Sequence, residues 1–332
     1  MVTLVDHGAE DTFAFFPIEG SLYGIGVKGT IYKVIDASYG YAAEKLEQLP
    51  SGSYSSAVSF GSTIVCEREF WSPREGNFFT WSQAKGSPVL STASGDRLMM
   101  MSLEDGKPLS HLFASRGDGT VELIGEFSSR YSFISGSDYM SDYRIGMRSL
   151  ICKFDNGHVN EIAELPDRDS ELINIFYCGE VFLVYSDSLV LSVDSCGMVS
   201  QKEMVAYLPF HSGGYRILTC GRATSESAYF CFKGIESNSV FLVHLDLLGD
   251  KVKVFGPMSS SLGSFSDFCF TKDYFFTVVD HRVVAYDRVT GSMEWAAKYQ
   301  SRYYKYFTVV SEKEILVTGR SSGAHLAHIK IS

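Results

Sequence analysis

One short pattern recurs along the chain and limits what it can fold into. A strand-like apolar run ends in an aspartate, and a glycine a few residues later precedes a second strand-like run. An aspartate side chain can accept a hydrogen bond from its own backbone two residues on, and glycine tolerates the positive φ of a hairpin turn. The pattern therefore predicts repeated β-hairpins. Its copies run from aspartate to glycine at 36–40, 155–157, 194–197, 246–249 and 287–291.

The spacing of these copies predicts the architecture. Asp155 and Asp194 are 39 residues apart, and Asp246 and Asp287 are 41 residues apart. A fixed period of this length, with a strand about every ten residues, is typical of a β-propeller with four strands per blade. We therefore predict an all-β fold, a single β-propeller domain over residues 1–332 with eight blades of about 40 residues. Seven blades are the alternative, because the copy near Gly76 is poor.

The two ends of the chain are predicted to share one blade. The last repeat supplies only three strands, whereas residues 2–5 form a spare apolar run near the amino terminus. A propeller leaves unpaired strand edges unless its first and last blades are joined. We therefore expect residues 1–9 to complete the C-terminal blade. Residues 42–49 could form a helical turn, but they fall where an outer strand belongs.

Charge and cysteine usage exclude several classes of protein. The formal net charge is −10 and the sequence pI is about 5.3, without the basic stripe that phosphate binding requires, so nucleic acid is not an expected partner. An acidic surface suits a basic protein partner. The seven cysteines are spread singly, which argues against a disulfide framework. The amino-terminal sequence does not resemble a secretory leader, and no apolar run reaches membrane length. We therefore expect a cytoplasmic protein, or one exported by a route that the chain does not reveal, and no membrane partner.

One repeat carries a family-like signature. The stretch from Asp287 through Thr290 and Gly291 to Trp295 resembles the Asp-x-x-Thr-Gly-x-x-x-Trp blade signature of quinoprotein-like (PQQ-type) propellers. In that family the tryptophan docks between neighbouring blades. The resemblance covers about 40 residues closely and the rest of the chain only through its period. It implies the propeller fold and does not imply a quinone, so we expect no cofactor.

No sequence motif indicates catalysis or metal binding. His325 and His328 lie three apart on a predicted strand, where their side chains point to opposite faces. The acidic segments 138–142 and 167–171 have neither a fixed carboxylate separation nor calcium-loop spacing. A nucleophile elbow and a phosphate-binding loop are also missing from the sequence. We expect no catalytic residues, no metal site and no enzymatic activity.

The remaining candidates are residues predicted to lie in loops. Loops carry much of protein function, and aromatic and arginine side chains dominate interaction hot spots. Aromatic residues interrupt the strand pattern at 70–79, Tyr139 and Tyr143 flank a polar, acidic loop, and an insertion lies at 222–227. The predicted partner-binding residues are Trp71, Arg74, Phe78, Tyr139, Asp142, Tyr143, Arg222 and Glu226.

These observations favour a non-enzymatic protein–protein interaction module. One specific form of this hypothesis is a cytoplasmic immunity-type protein that neutralises a basic toxin or effector domain. The alternative is a sugar-binding or hydrolytic propeller with its site at the central channel. There, polar residues from inner strands far apart in the sequence would converge. A single sequence does not reveal such convergence, so both hypotheses stay open at this point.

Overall fold

The structure is a computed structural model of the chain. It describes residues 2–5, 12–37, 40–50, 54, 56–81, 90–116, 120–134, 136–142, 150–155, 157–166, 170–208, 214–237, 239–258, 268–279, 282–296, 306–311, 314–318 and 326–330. Nearly all regular structure in these residues is β-strand, and one short 3-10 helix covers Met204–Tyr207. Within this described part, no helix is long and apolar enough to cross a membrane.

The chain divides into two compact units, each built from four-stranded antiparallel sheets. Unit 1 contains Met1–Ser55 and Met204–Ser332, and unit 2 contains Ser56–Glu203. In all but the final sheet, four consecutive strands pair in chain order. The expectation of a single domain over residues 1–332 stays a prediction.

Unit 1 holds sheets 1, 6, 7 and 8, numbered in chain order. Sheet 1 contains β2 (Thr12–Ile18), β3 (Ser21–Gly26), β4 (Thr30–Ala37) and β5 (Gly40–Gln48). Sheet 6 contains β22 (Tyr215–Thr224), β23 (Ser227–Gly234), β24 (Val240–Asp246) and β25 (Lys251–Met258). Sheet 7 contains β26 (Cys269–Phe270), β27 (Tyr274–Val279), β28 (Arg282–Asp287) and β29 (Met293–Ala296). Sheet 8 contains β30 (Tyr306–Ser311), β31 (Glu314–Thr318), β32 (Leu326–Lys330) and β1 (Val2–Val5).

Unit 2 holds sheets 2 to 5. Sheet 2 contains β6 (Val58–Phe60), β7 (Thr63–Cys66), β8 (Glu69–Ser72) and β9 (Asn77–Thr80). Sheet 3 contains β10 (Leu90–Ser94), β11 (Arg97–Glu104), β12 (Lys107–Ser115) and β13 (Val121–Phe127). Sheet 4 contains β14 (Tyr131–Phe133), β15 (Tyr139–Asp142), β16 (Leu150–Asp155) and β17 (His158–Glu164). Sheet 5 contains β18 (Leu172–Cys178), β19 (Glu180–Tyr185), β20 (Val190–Val193) and β21 (Val199–Lys202).

The amino-terminal strand completes the last sheet. Strand β1 pairs antiparallel with β32, and Val2 lies opposite Ile329. The expected pairing of the amino-terminal run into the C-terminal sheet is therefore present. Residues 40–48 form the outer strand β5 rather than a helical turn.

The hairpin turns behave as the repeated aspartate predicts. The backbone N–H of Cys196 donates to the Asp194 carboxylate at 2.8 Å, and the N–H of Val289 donates to that of Asp287 at 2.8 Å. Asp246 accepts from the N–H of Leu248 at 3.1 Å. Gly157, Gly197 and Gly291 take positive φ angles between 75° and 85°. In the 246–251 turn the positive φ falls on Asp250 rather than on Gly249.

The prediction of eight blades of about 40 residues each needs correction. The sheets differ widely in length: sheet 2 occupies only Val58–Thr80, whereas sheet 6 extends from Tyr215 to Met258. Strand length accounts for much of this difference, since β6 has three residues and β22 has ten. The sequence period is therefore an average over unequal repeats and is not the length of one repeated sheet.

Neighbouring sheets within a unit pack through apolar faces. Leu242 and Phe255 of sheet 6 share one buried cluster with Phe275 of sheet 7. In unit 2, Ile151 of sheet 4 shares another with Leu183 of sheet 5. Because both faces of a middle strand are covered in this arrangement, the middle strands are continuous apolar runs, and the turns are left as the main exposed features.

Candidate interaction surface

Turns from sheets 6 and 7 provide the main candidate site in unit 1. In an antiparallel meander, the turn after the first strand and the turn after the third strand leave at the same end of the sheet. In these two sheets such turns, together with the strand ends that flank them, lie at residues 222–227, 246–251, 271–274 and 287–292. We call these four segments the turn surface.

Two apolar side chains stand at the tips of this surface. Leu248 and Val289 are each 75% exposed, more than any other large apolar residue in the described part of the chain. Each lies two residues after a strand-ending aspartate, and that aspartate accepts the hydrogen bond of its backbone N–H. Because the aspartate fixes the turn, the apolar side chain is presented to solvent from an ordered backbone.

Backbone hydrogen bonds tie the turns of each sheet together. In sheet 6, the N–H of Leu247 donates to the carbonyl of Glu226 at 3.1 Å. In sheet 7, the N–H of Arg288 donates to the carbonyl of Asp273 at 2.8 Å. The turn after the third strand is thus held against the turn after the first in both sheets. Because the turns are already ordered, less conformational entropy would be lost when a partner binds.

A polar network beneath the turns joins sheet 6 to sheet 7. The Arg288 guanidinium donates to the Thr271 carbonyl at 2.7 Å and to Nε2 of His244 at 3.3 Å. The imidazole of His244 stacks on the Phe270 ring, with centroids 5.6 Å apart and an interplanar angle of 15°. Arg288 also lies over the Phe270 ring at 5.7 Å. Arg288 therefore positions its own turn, which includes Val289, relative to the neighbouring sheet.

The His244 side chain is neutral at physiological pH. Burial lowers its pKa to about 4, and the nearby positive charge of Arg288 acts in the same direction. Because a guanidinium can only donate hydrogen bonds, Nε2 of His244 is the acceptor and the ring proton resides on Nδ1. Burial also lowers the pKa of Arg288.

The contact between Ser227 and His244 resembles a nucleophile–base pair only in distance. The Ser227 hydroxyl lies 3.2 Å from His244 Nε2, within the range of an activated serine. A general base needs a pKa near the working pH, and the pKa of about 4 makes this imidazole a poor base. Ser227 is also buried. The network is therefore suited to joining two sheets and not to activating a nucleophile.

Two of the residues predicted from the sequence lie on the turn surface. Arg222 lies near the end of β22 and Glu226 lies in the turn that follows it, and both are exposed. The tips Leu248 and Val289 were not among the predicted residues. Their signal is an apolar residue inside the aspartate–glycine turn, where a tight turn normally carries polar residues.

The predicted aromatic loop at 70–79 is a hairpin. Its residues form β8 and β9, and Trp71 lies opposite Phe78 in the register. Trp71 is buried because β8 lies between β7 and β9 and both of its faces are covered. Its side chain is therefore not part of an interaction surface. Arg74 and Phe78 are exposed, and their partner-binding role stays a prediction.

The predicted acidic loop at 139–143 is also partly buried strand. Tyr139 and Asp142 lie on β15 with buried side chains. The Tyr139 ring stacks on that of Tyr177 in sheet 5, with centroids 5.4 Å apart. Tyr143 lies outside the described residues. The two described residues face the protein interior, so they do not extend an interaction surface.

The described residues contain no group of three or more histidine, cysteine or carboxylate side chains arranged to hold a metal ion. His325 lies outside these residues. His328 lies on β32, and the structure does not describe its side chain.

The chain matches no protein-family model and no curated protein. It is similar in structure to Sqt1 of Saccharomyces cerevisiae, with a TM-score of 0.66 and 12% identity, over 99% of this chain and 98% of that one. It is also similar to the WD40 domain of SCAP from fission yeast, with a TM-score of 0.61, 10% identity and coverage of 99% and 94%. A third similar structure is YCF48 bound to D1 peptide, with a TM-score of 0.52, 10% identity and coverage of 99% and 96%.

These similarities show that the chain has the β-propeller repeat fold. The quinoprotein-like resemblance of the 287–295 repeat is not shown by them and stays a resemblance of one segment. The Trp295 side chain, which the resemblance assigns to a docking role, lies outside the described side chains.

Proposed function

We propose that this propeller is a non-enzymatic protein-interaction module that holds its partner on the turn surface of sheets 6 and 7. The observation that carries the proposal is the exposure of Leu248 and Val289 at 75% each on turns fixed by hydrogen bonds. The charged residues Arg222, Glu226 and Lys272 lie on the same surface. Apolar contacts within a polar rim are the usual composition of a protein interface.

The fold gives independent support. Propellers present ordered turns on a rigid scaffold, and function often resides in such turns. One structure with this fold is described as bound to a peptide, the YCF48 complex with D1 peptide. In the present chain, the aspartate-fixed tips offer a rigid surface for a protein or peptide partner.

We further propose that the partner is basic, because the chain carries a net charge of −10. A basic toxin or effector domain, neutralised in the cytoplasm, is the specific form of this proposal. If the partner is basic, its association rate with this chain should fall as the salt concentration rises, because salt screens the long-range attraction between opposite charges. An association rate that does not change with salt would contradict a basic partner and would leave the apolar contact itself untouched.

The test compares the turn surface with the turns at the opposite end of sheet 6. The double variant Leu248→Asp with Val289→Asp places charge on both tips, and Ile235→Asp is the matched control. Ile235 is 65% exposed at the opposite end of sheet 6, in the turn between β23 and β24. The purified chains serve as bait in a native lysate with quantitative mass spectrometry, and the enriched protein is then titrated by calorimetry.

We expect a stoichiometric partner whose affinity falls by at least about tenfold in the tip variant, because a buried apolar contact replaced by an unpaired charge costs more than about 1.4 kcal/mol. The Ile235→Asp chain should bind like the wild type. Equal binding by all three chains would overturn the assignment of the surface. Capture of no partner by the wild-type chain would overturn the proposed function.

A further inference from the structure

Among the strands that the structure describes, the outer strand of sheet 2 has a partner on one side only. Strand β9 pairs with β8 from Glu69 opposite Thr80 to Ser72 opposite Asn77, and no other described strand pairs with it. All four of its residues are exposed. Phe78 is 38% exposed and Phe79 is 46% exposed, and neighbouring strand residues point to opposite faces. Both faces of this edge therefore present an aromatic ring to solvent.

The other outer strands show how this protein normally protects such an edge. Charged side chains and proline on an edge strand discourage the addition of another strand. Every outer strand with described side chains, apart from β9, carries at least one of them. These residues are Glu44, Lys45 and Glu47 in β5, Glu122 and Glu126 in β13, Glu161 and Glu164 in β17, Lys202 in β21, Lys251, Lys253 and Pro257 in β25, and Glu294 in β29.

Strand β9 reads Asn-Phe-Phe-Thr and has neither a charged residue nor a proline. Its Phe79 ring stacks on the buried Phe70 ring, with centroids 4.6 Å apart and an interplanar angle of 15°. The strand is thus held against the sheet, and its outer backbone edge is paired with no strand in the described part of the chain. An open backbone edge with apolar side chains on both faces is the arrangement that accepts an added strand.

We propose that β9 binds an extended segment of a partner protein by β-strand addition. The segment that fits has apolar residues beside Phe78 and Phe79 and basic residues at its flanks. The basic flanks follow from the net charge of −10, which attracts a cationic segment. The same charge repels a second copy of this chain.

This site is separate from the proposed function, because it lies in unit 2 and uses backbone hydrogen bonds instead of turn tips. The two ideas can therefore fail independently. Loss of a partner from the Leu248 and Val289 tips says nothing of binding at β9.

The experiment uses a fluorescent peptide of alternating valine and threonine with a lysine at each end, titrated onto the full chain by anisotropy. Its control is the same peptide with alternate backbone nitrogens methylated, which removes the N–H donors of one edge and keeps the side chains. We expect the unmethylated peptide to bind and the methylated one to bind at least about tenfold more weakly, since strand addition depends on main-chain hydrogen bonds. Equal affinity for both peptides, or binding of neither, would overturn the proposal.

A matched pair of variants locates the site. Phe78→Lys places a charge on the β9 edge, and Ile124→Lys places one at a comparably exposed position on the outer strand β13. We expect a loss of about tenfold or more only in Phe78→Lys. Equal loss in both variants would overturn the assignment to β9. Concentration-dependent dimers of the wild-type chain that disappear in Phe78→Lys would show a second copy at this edge and would also overturn it.

Discussion

The junction between sheets 6 and 7 and the junction between sheets 4 and 5 use the same kind of hairpin in different ways. In unit 1, the residue after Asp287 is Arg288, and its guanidinium reaches His244 in the neighbouring sheet at 3.3 Å. In unit 2, the turn after Asp194 approaches the neighbouring sheet through its backbone. A Cβ atom at Gly197 would lie only 2.2 Å from the carbonyl oxygen of Ile162 in sheet 4.

This difference separates two ways of joining repeated sheets. A side-chain network tolerates some movement and depends on the charge state of its members. A close backbone approach is independent of pH but leaves no room for a side chain. We therefore expect the sheet 4–5 junction to be sensitive to substitution and the sheet 6–7 junction to be sensitive to acid.

The largest expected effect is that of Gly197→Ala. Gly197 has a φ of 83°, and its added Cβ would collide with the Ile162 carbonyl. Gly157→Ala is the matched control, because Gly157 has a φ of 85° in the equivalent turn of sheet 4 with nothing within 4 Å of its Cβ. We expect a loss of about 4 kcal/mol in the free energy of unfolding for Gly197→Ala and about 1–2 kcal/mol for Gly157→Ala. Urea titrations measure both.

The control isolates the contact between sheets, because both variants place an alanine at a positive φ and share the free-energy cost of that conformation. Equal destabilisation of the two would mean that the backbone conformation alone accounts for the glycine. The close approach to sheet 4 would then contribute nothing to the junction.

The second prediction concerns acid and the His244 junction. The folded-state pKa of His244 is about 4, below the unfolded value of about 6.5, so the folded state disfavours the proton. The contribution of the neutral imidazole is complete above about pH 6.5 and is lost progressively as the pH falls to about 4. Arg288 and Lys253 favour the neutral form, and Asp246 opposes them. We expect a loss of roughly 2–3 kcal/mol from this group between about pH 7 and pH 4.5.

The variant His244→Gln removes this titration and keeps a side chain that can accept from Arg288. The free energy of unfolding, measured in urea at both pH values, should therefore fall less in His244→Gln than in the wild type. His111 also has a pKa lowered by burial, and its contribution is common to both chains. The same fall in both chains would show that other groups account for the acid sensitivity.

The sequence predicts local structure here better than it predicts which side chains meet. The aspartate turns at 194 and 287 were readable because their hydrogen bonds lie within a few residues. The burial of Tyr139 could not be predicted in this way, because its ring stacks on Tyr177 from the neighbouring sheet. Arg288 and His244 are 44 residues apart in the chain, and only the packing of two sheets brings them together.

The candidate site follows the same division. Arg222 and Glu226 were predicted from an insertion in the sequence, which predicts exposed residues, and both are exposed. Trp71 was misplaced because bulky rings around a turn are typical both of loops and of a buried hairpin. Leu248 and Val289 are recognisable only when their exposure is known, since an apolar residue in a sequence usually indicates core.

The smallest expected effect is that of removing the aspartate from a turn of the type found at both junctions. Asp194 accepts the N–H of Cys196 at 2.8 Å and that of Met198 at 2.9 Å, whereas Asp246 accepts from Leu248 at 3.1 Å and from Gly249 at 3.3 Å. Because shorter hydrogen bonds are the stronger ones, Asp194→Ala should lower the free energy of unfolding by about 1 kcal/mol and Asp246→Ala by less. Asp194→Asn keeps the acceptor oxygen and should recover most of the loss in the same urea titration. If asparagine recovers nothing, the carboxylate charge stabilises this turn rather than its hydrogen bonds, and the two junctions would then differ in their turns as well as in their contacts.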